Sequence, residues 1–394
     1  MSYSVKKLNA HYISLQALYW GCYGTIWAFM SVLLLYRGFT NTQIGAVSAT
    51  ALLSVSLIFQ PQMSALVDRD KRFTSRGFSM LLIIIAMAAA LCMWLCLVPI
   101  LSAICYVIVG VCLLAIAPFF NAMAMELIQK DVALNFGLAR GIGSGFYGLA
   151  ALVIGLLTTH FAPTLILPIG IAAFLVLLLS VFLFRYHEQV EKTVVKASSS
   201  AVLGNFALLR RYPAFTATLV GAAFLMSSHG STCTYMIHIV GKTGADKSAL
   251  GIALAIGAFV EVPAMALFSR FQRRFSLQKV FCICALGFLV RNLLFLSATS
   301  VIVVYITVFL QFFECGLFIP ASVYCAKEFI DEANLVKAQS LMHMASHGIG
   351  SALGVLISGR LLDFAGVNGM LIFTSACTAI GTIIVFFVMN KRAR

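Results

Sequence analysis

Charge is what this chain has least of. Only 10% of its 394 residues are Asp, Glu, Lys or Arg, against 61% that are hydrophobic, and so lopsided a balance excludes an ordinary soluble domain. No polar stretch between the apolar runs is long enough to hold one. A helix crosses the hydrocarbon core with about 20 apolar residues. Twelve runs of that kind begin near Asn9, Asn41, Arg76, Ile100, Phe136, Pro163, Pro213, Asp246, Leu277, Ser300, Asn334 and Val367. The expectation is an all-α integral membrane protein of twelve transmembrane helices.

Further absences narrow the function. There is no Walker A sequence or Gly-rich phosphate loop, which argues against direct drive by ATP. No nucleophile with its base and no metal-ligand set assembles along the chain, so neither an enzyme, a metal nor a cofactor is expected. Only Lys391–Arg394 follows the last apolar run, which speaks against a membrane sensor with a signalling tail. Met1–Lys7 leads into an apolar run longer than that of a signal peptide, with no small-residue cleavage site, so the first helix is expected to stay. Cysteine is not scarce, but the eleven Cys, including Cys92, Cys112, Cys282 and Cys315, lie in apolar spans. A free thiol there behaves as a small hydrophobe, and no disulfide is expected.

The charge that is present is strongly one-sided, at +14 net, and its placement explains it. With the N-terminus in the cytoplasm, every Lys and Arg falls inside except Arg37, Lys242, Lys247 and Arg360, which fall outside, and Arg291, which lies within a span. This is the positive-inside bias, and an even number of helices then puts both termini in the cytoplasm. The basic excess is therefore topology, not a nucleic-acid footprint. The expected location is the bacterial cytoplasmic (inner) membrane, with the lipid bilayer, a small-molecule substrate and protons as partners of a monomer.

The longest polar stretch, Tyr186–Arg211, separates six spans from six. It sets the expected organisation: an N-terminal bundle over 1–185, a cytoplasmic connector over 186–212 and a C-terminal bundle over 213–394. The halves echo each other. The turn Gly38–Gly45 matches Gly244–Gly251, the basic loop Asp68–Arg72 matches Ser269–Arg274, and Met125–Glu126 matches Lys327–Glu328. Small residues four apart, Gly141 and Gly145 in one half and Gly350 and Gly354 in the other, permit close helix approach. Two parallel repeats about an axis along the membrane normal, with a site between them, describe the major facilitator architecture.

Three ionisable residues, Glu261, Arg291 and Glu314, sit inside apolar spans. Each costs about 2.5–3.5 kcal/mol at the bilayer centre on insertion scales, so such residues usually face a bundle interior, pair, and mark an ion or substrate pathway. A carboxyl in an apolar bundle holds its proton more tightly, and an approaching Arg favours its release. Movement of the Arg would load or unload a proton. The plainer reading is a static ion pair; convergence of three charges favours the functional one.

With its internal repeat and the sequence Gln60-Pro61 followed by Asp68-Arg69, the chain resembles the major facilitator superfamily over its whole length. Ser64 stands where that family prefers Gly. Within it, the chain is similar to the oligosaccharide:proton symporters and the related phenylpropionate permeases. Gly257–Pro263 resembles the eighth-helix segment holding that branch's essential Glu, here Glu261, and Leu289–Asn292 the ninth-helix segment holding its Arg, here Arg291. Gln311-Phe312-Phe313-Glu314 resembles the tenth-helix segment, in which the sugar symporters have a His followed by the proton-carrying Glu. Gln311 takes the place of that His. The resemblance implies proton coupling through Glu314, Arg291 and Glu261, and solute contact through Glu261 and Gln311.

Other candidates are set apart by spacing. Arg140 and Tyr147 lie seven residues apart, two helical turns, and share one side. They resemble the Arg that binds sugar hydroxyls and the Trp that stacks on the ring in the fifth helix of the sugar symporters. Arg140 is equally readable as a cytoplasmic flank and Tyr147 as packing. Glu126 falls one turn too late for that family's sugar-binding Glu. His229 resembles a His of the phenylpropionate type and titrates near neutrality when unperturbed, or is a satisfied bundle histidine. His343 and His347 lie four apart without a third ligand at a useful spacing; alignment puts His347 among polar cavity-lining residues. Trp20, Tyr23 and Trp27 form a stripe facing either the cavity or lipid, lipid being the plainer reading, with Tyr23 kept among the solute-binding candidates.

The expected function is proton-coupled symport of a small polar organic solute, sugar or oligosaccharide first. Uptake of an aromatic carboxylate, or drug/proton antiport, are the alternatives.

Overall fold

A computed structural model describes residues 5–60, 62, 74–129, 132, 134–184 and 204–393. Among them the chain is helical throughout, with no strand. The helix starts follow the apolar runs closely: Val5, Asn41, Ser75, Pro99, Phe136, Pro163, Pro213, Lys247, Leu277, Val301 and Leu335. Most of residues 61–73, with Ser64 and the Asp68–Arg72 motif, lies outside the described residues. So does the connector up to residue 203; its end is a short helix, Asn205–Arg211.

Ten of the described helices are long and apolar enough to cross a membrane. Two features bear on the remainder. The helix Pro213–Thr234 is outside those ten because Ser, Thr and His dilute its apolar residues. The long stretch Ser351–Ala393 is interrupted at Gly366, where φ is +68° and ψ −169°, a backbone region open essentially to glycine alone.

Apolar side chains point outward as well as inward. Leu81, Trp94, Leu149, Leu179, Leu293, Ile302, Ile383 and Phe387 are all exposed, while Arg291, Asn292 and Glu314 have no exposed surface. A soluble protein distributes these classes the other way round. Lipid is the solvent that fits such a surface, and the chain is an integral membrane protein.

The echoed turns have the same construction. Gly38 and Gly244 both take positive φ, +82° and +77°, which lets the chain turn sharply after a helix. Two residues on, Thr40 caps the helix Asn41–Leu53 in a reciprocal capping box with Gln43, and Asp246 accepts the backbone N–H groups of Ser248 and Ala249 at 3.0 and 3.3 Å. Together with the Ser248 hydroxyl, those donors hold the Asp246 carboxyl below its ordinary range.

The chain divides into two compact units. One comprises Met1–Val190 with Ala245–Phe259, the other Glu191–Gly244 with Val260–Arg394. The helix Lys247–Arg274 thus contributes its first half to the first unit, where Gly251 packs so closely that a Cβ there would lie 3.0 Å from the Gly155 Cα. Within the first unit, Ser75–Leu95 packs on Pro99–Gln129, and Val5–Cys22 on Phe136–His160. In the second, Pro213–Thr234 lies along Ser351–Ala393, which also packs on Leu277–Ser297.

Candidate functional site

Four helices bring the intramembrane charges together, Lys247–Arg274 carrying Glu261 and three more carrying the rest. Pro213–Thr234 carries His229, Leu277–Ser297 carries Arg291, and the third is broken where its charge sits. Val301–Val308 tightens into a 3₁₀ turn over Phe309–Phe312, and α-helix resumes only at Cys315. Glu314 occupies the junction with ψ of −92°. Farther along, Pro320 cannot donate to the carbonyl four residues back. Non-helical backbone at membrane depth is tolerated only where protein or water surrounds it, so this break belongs to a polar interior.

Arg291 Nη1 donates to Glu314 Oε2, and both side chains are completely buried. The same oxygen faces His229 Nδ1 at 3.2 Å. Arg291 Nη2 donates to Gln311 Oε1 at 3.1 Å, and Gln311 Nε2 donates to Glu261 Oε1 at 2.7 Å. One chain of hydrogen bonds therefore joins His229, Glu314, Arg291, Gln311 and Glu261. Arg291 Nη1 also reaches Thr232 Oγ1 at 3.5 Å, and the guanidinium lies 4.9 Å from the centroid of the Phe295 ring, a cation–π distance. Glu314 Oε1 and Arg291 Nε have no hydrogen-bond partner among the described residues.

A second polar cluster lies in the first unit. Arg140 is half-buried on Phe136–His160. Its guanidinium sits 4.0 Å above the Trp20 ring, and Nη1 donates to Ser144 Oγ at 2.7 Å. Trp20 Nε1 donates to Gln16 Oε1 at 3.2 Å and Gln16 Nε2 to Tyr12 Oη at 2.7 Å, so the indole is held from behind. The fit is tight: a Cβ on Gly143 would come within 2.5 Å of Trp20 Cδ1. Tyr23 lies 5.3 Å from Trp20 and 6.1 Å from both Trp27 and Tyr147, centroid to centroid. It begins a π-helical turn, Tyr23–Trp27, of the kind that often marks functional positions.

The other sequence candidates lie as follows. Trp20, Tyr23 and Trp27 are each half-buried, packed against one another, Arg140 and Tyr147. Arg140 is no free flank. His347 stacks on His343 at 4.8 Å and meets Ser346 Oγ at 3.0 Å within the π-helical segment Met344–Gly350. Among the described residues no hydrogen bond links it to the Arg291–Glu314 cluster. Glu126 accepts from Ser75 Oγ at 3.4 Å, at the start of Ser75–Leu95. Cys233 and Cys315, read as inert, crowd the His229 ring, and Gln16 and Thr232 were not singled out at all. Only the spacing of Cys233 one turn after His229, and of Cys315 beside Glu314, hinted at the former. Among the described residues no group of three His, Cys, Asp or Glu side chains is arranged to hold a metal ion.

Helices with lipid-facing apolar surfaces, broken around buried, hydrogen-bonded charges, define a polytopic membrane transporter of the major facilitator type. Residues 7–375 match the MFS_1 like family, and the chain belongs to it. It is a transporter, not an enzyme. It is 24% identical to the maltose permease of Geobacillus stearothermophilus over 281 residues, 71% of this chain and 69% of that protein. It is 23% identical to the uncharacterized transporter YwbF of Bacillus subtilis (strain 168) over 289 residues, 72% and 71% of the two chains. Among solved structures, a variant of the nucleoside transporter NupG superposes with a TM-score of 0.84 at 16% identity, over 97% of this chain and 99% of that one. That likeness concerns the fold.

The buried pair makes a stability prediction. Removing one partner of such a pair costs about 3–5 kcal/mol, while replacing both is often neutral. Arg291→Met is therefore expected to lower the unfolding midpoint in detergent sharply, and Arg291→Met/Glu314→Gln to recover most of the loss. A double variant no more stable than Arg291→Met would contradict the pairing.

Proposed function

We propose that the chain is a secondary active transporter, a proton symporter taking up a small polar organic solute by alternating access, with sugar or oligosaccharide the favoured class. The observation that carries this reading is the buried Arg291–Glu314 pair, hydrogen-bonded through Gln311 to Glu261. Glu314 carries the proton and Arg291 is its counter-charge. Glu261 contributes solute binding in the second unit; Arg140, Tyr147 and Tyr23 contribute it in the first, with Gln311 between Glu261 and Arg291. His347 lines the polar interior.

Sugar is favoured because carboxylates can hydrogen-bond the hydroxyls of a neutral solute and aromatic rings can stack on it, and the chain carries both kinds of group. That one relative is named a maltose permease accords with this. An aromatic carboxylate is the second reading, supported by the Arg140 guanidinium over Trp20 beside Tyr23 and Tyr147. Uptake by a monomer in the bacterial inner membrane completes the proposal.

For topology, we read Lys337–Asn390 as two crossings joined at Gly366 and Pro213–Gly241 as a further one, giving twelve with both termini and the connector cytoplasmic. At about 1.5 Å per residue a continuous helix over Lys337–Asn390 would be more than twice the hydrocarbon thickness of about 30 Å. Reporter fusions to the C-terminus decide it, an external signal sinking the arrangement.

The functional test is uptake into proteoliposomes of a labelled panel containing maltose, other sugars and 3-phenylpropionate, with an imposed inward proton gradient. Accumulation above equilibrium, abolished by a protonophore, is expected for at least one member. Accumulation insensitive to the gradient would contradict proton symport, and accumulation of the acid alone would move the substrate class to the second reading.

A further inference from the structure

We infer that His229 is a proton relay to Glu314, taking a proton on Nε2 and passing one from Nδ1 to Glu314 Oε2, whose protonation frees Arg291. The inference rests on the reading of Glu314 as the proton carrier and goes beyond it by giving that proton a route.

The geometry assigns the hydrogens. An ionised Glu314 only accepts hydrogen bonds, so the His229 nitrogen 3.2 Å from its Oε2, Nδ1, carries the donor. A neutral ring then has its lone pair on Nε2. Two thiols lie against the ring, each somewhat nearer Nε2 than Nδ1, Cys315 Sγ at 3.3 and 3.5 Å and Cys233 Sγ at 3.5 and 3.8 Å, and each can donate weakly to Nε2. The carboxylate at Nδ1 sets this tautomer, and the thiols are compatible with it. Nε2 is thus the free basic position, and Nδ1–H already points at the carboxylate.

Charge counting supports the direction of transfer. Arg291 and Glu314 together are neutral, and His229, whose side chain is 17% exposed, is the partner that is not sealed off. The titratable and charged groups around the ring are Cys233 on its own helix, Glu314 and Cys315 at the helix break, Arg291 behind Glu314, and His347 on Met344–Gly350. Arg291, Glu314 and a doubly protonated His229 would leave one net positive charge in a buried site, and moving the Nδ1 proton to Oε2 carries that charge onto Arg291 alone. The balance is simple: one proton arrives at Nε2, one leaves Nδ1, the ring ends as the neutral Nε2–H tautomer, and Glu314 ends as the acid. Arg291 then loses its ionised partner but keeps Gln311 Oε1, Thr232 Oγ1 and the Phe295 ring. It is released from Glu314 without being left bare, so the pair can switch.

A structural role and a relay role separate on one substitution. Asn at position 229 presents an amide N–H near the place of Nδ1, so it can keep the hydrogen bond to Glu314, yet it cannot take up and pass on a proton. The experiment is a pH jump from 8 to 5 on the purified protein in detergent, with a soluble indicator dye reporting proton uptake. The proton bound by Glu314 is identified as the one missing in Glu314→Gln, and a Glu314→Gln that takes up as many protons as the wild type overturns the relay. In His229→Asn that proton is expected to bind about a hundredfold more slowly, the scale on which a positioned acid–base group acts, with its final amount and the unfolding midpoint little changed. An unchanged rate overturns the relay and leaves His229 a hydrogen-bonding strut. If His229→Asn unfolds, His229→Gln in the same assay decides. Failure of the symport reading looks different: wild-type proteoliposomes that accumulate no solute under a proton gradient sink symport whatever the rate in His229→Asn.

Discussion

A guanidinium and a carboxylate with no exposed surface persist in a lipid-facing bundle only as partners. Several kcal/mol oppose burying each ion, and good geometry with further hydrogen bonds must offset them. For Arg291 and Glu314 those further bonds come from Gln311, Thr232 and His229, on helices that must present them at one level. The second unit is packed accordingly. Phe288 and Phe281 on the Arg291 helix both meet Phe318, one turn past Glu314, with centroids 5.5 and 5.4 Å apart. Aromatic packing on one side of the break holds the charged groups in register on the other.

The break itself is the second constraint. A regular helix through 309–315 would present Gln311 and Glu314 one turn apart on the same face. Tightening to a 3₁₀ turn over Phe309–Phe312 and the turn at Glu314 re-aim them, so that Gln311 bridges Arg291 and Glu261 while Glu314 meets Arg291 and His229. Polar groups released by irregular backbone find company only inside the protein. Chemistry and backbone irregularity therefore fall in one place for one reason. In the first unit the same coincidence appears at Tyr23, where a π-helical turn begins beside Arg140, Trp20 and Tyr147.

Much of the fold was legible in the sequence because its signals are local. Apolar runs set the helix starts, the paired glycines Gly38 and Gly244 set matching turns, and a charge among apolar residues announces itself at Glu261, Arg291 and Glu314. The site was legible only in part. His229 and Glu314 are 85 residues apart, and nothing in either neighbourhood says that they share a carboxylate oxygen with Arg291. The stack of Arg140 on Trp20 brings together two helices far apart in sequence, which is why the aromatic stripe read as lipid-facing. The 3₁₀ turn at Phe309–Phe312 contains no Gly or Pro to betray it, since tertiary packing, not local preference, imposes it.

The first unit offers rings, an amide and a cation, the second two carboxylates, an amide, a cation and an imidazole. In the proposed symport one group changes charge during the cycle, and Glu314 is the group proposed for it, since Arg291 and His229 both contact its carboxylate. The direct measurement is solute flux through Glu314→Gln in proteoliposomes, with counterflow and proton-driven accumulation compared in one preparation. The account predicts that exchange persists, because Gln mimics the protonated carboxyl, while accumulation against a gradient is lost. Uphill accumulation by Glu314→Gln under an imposed proton gradient would contradict it.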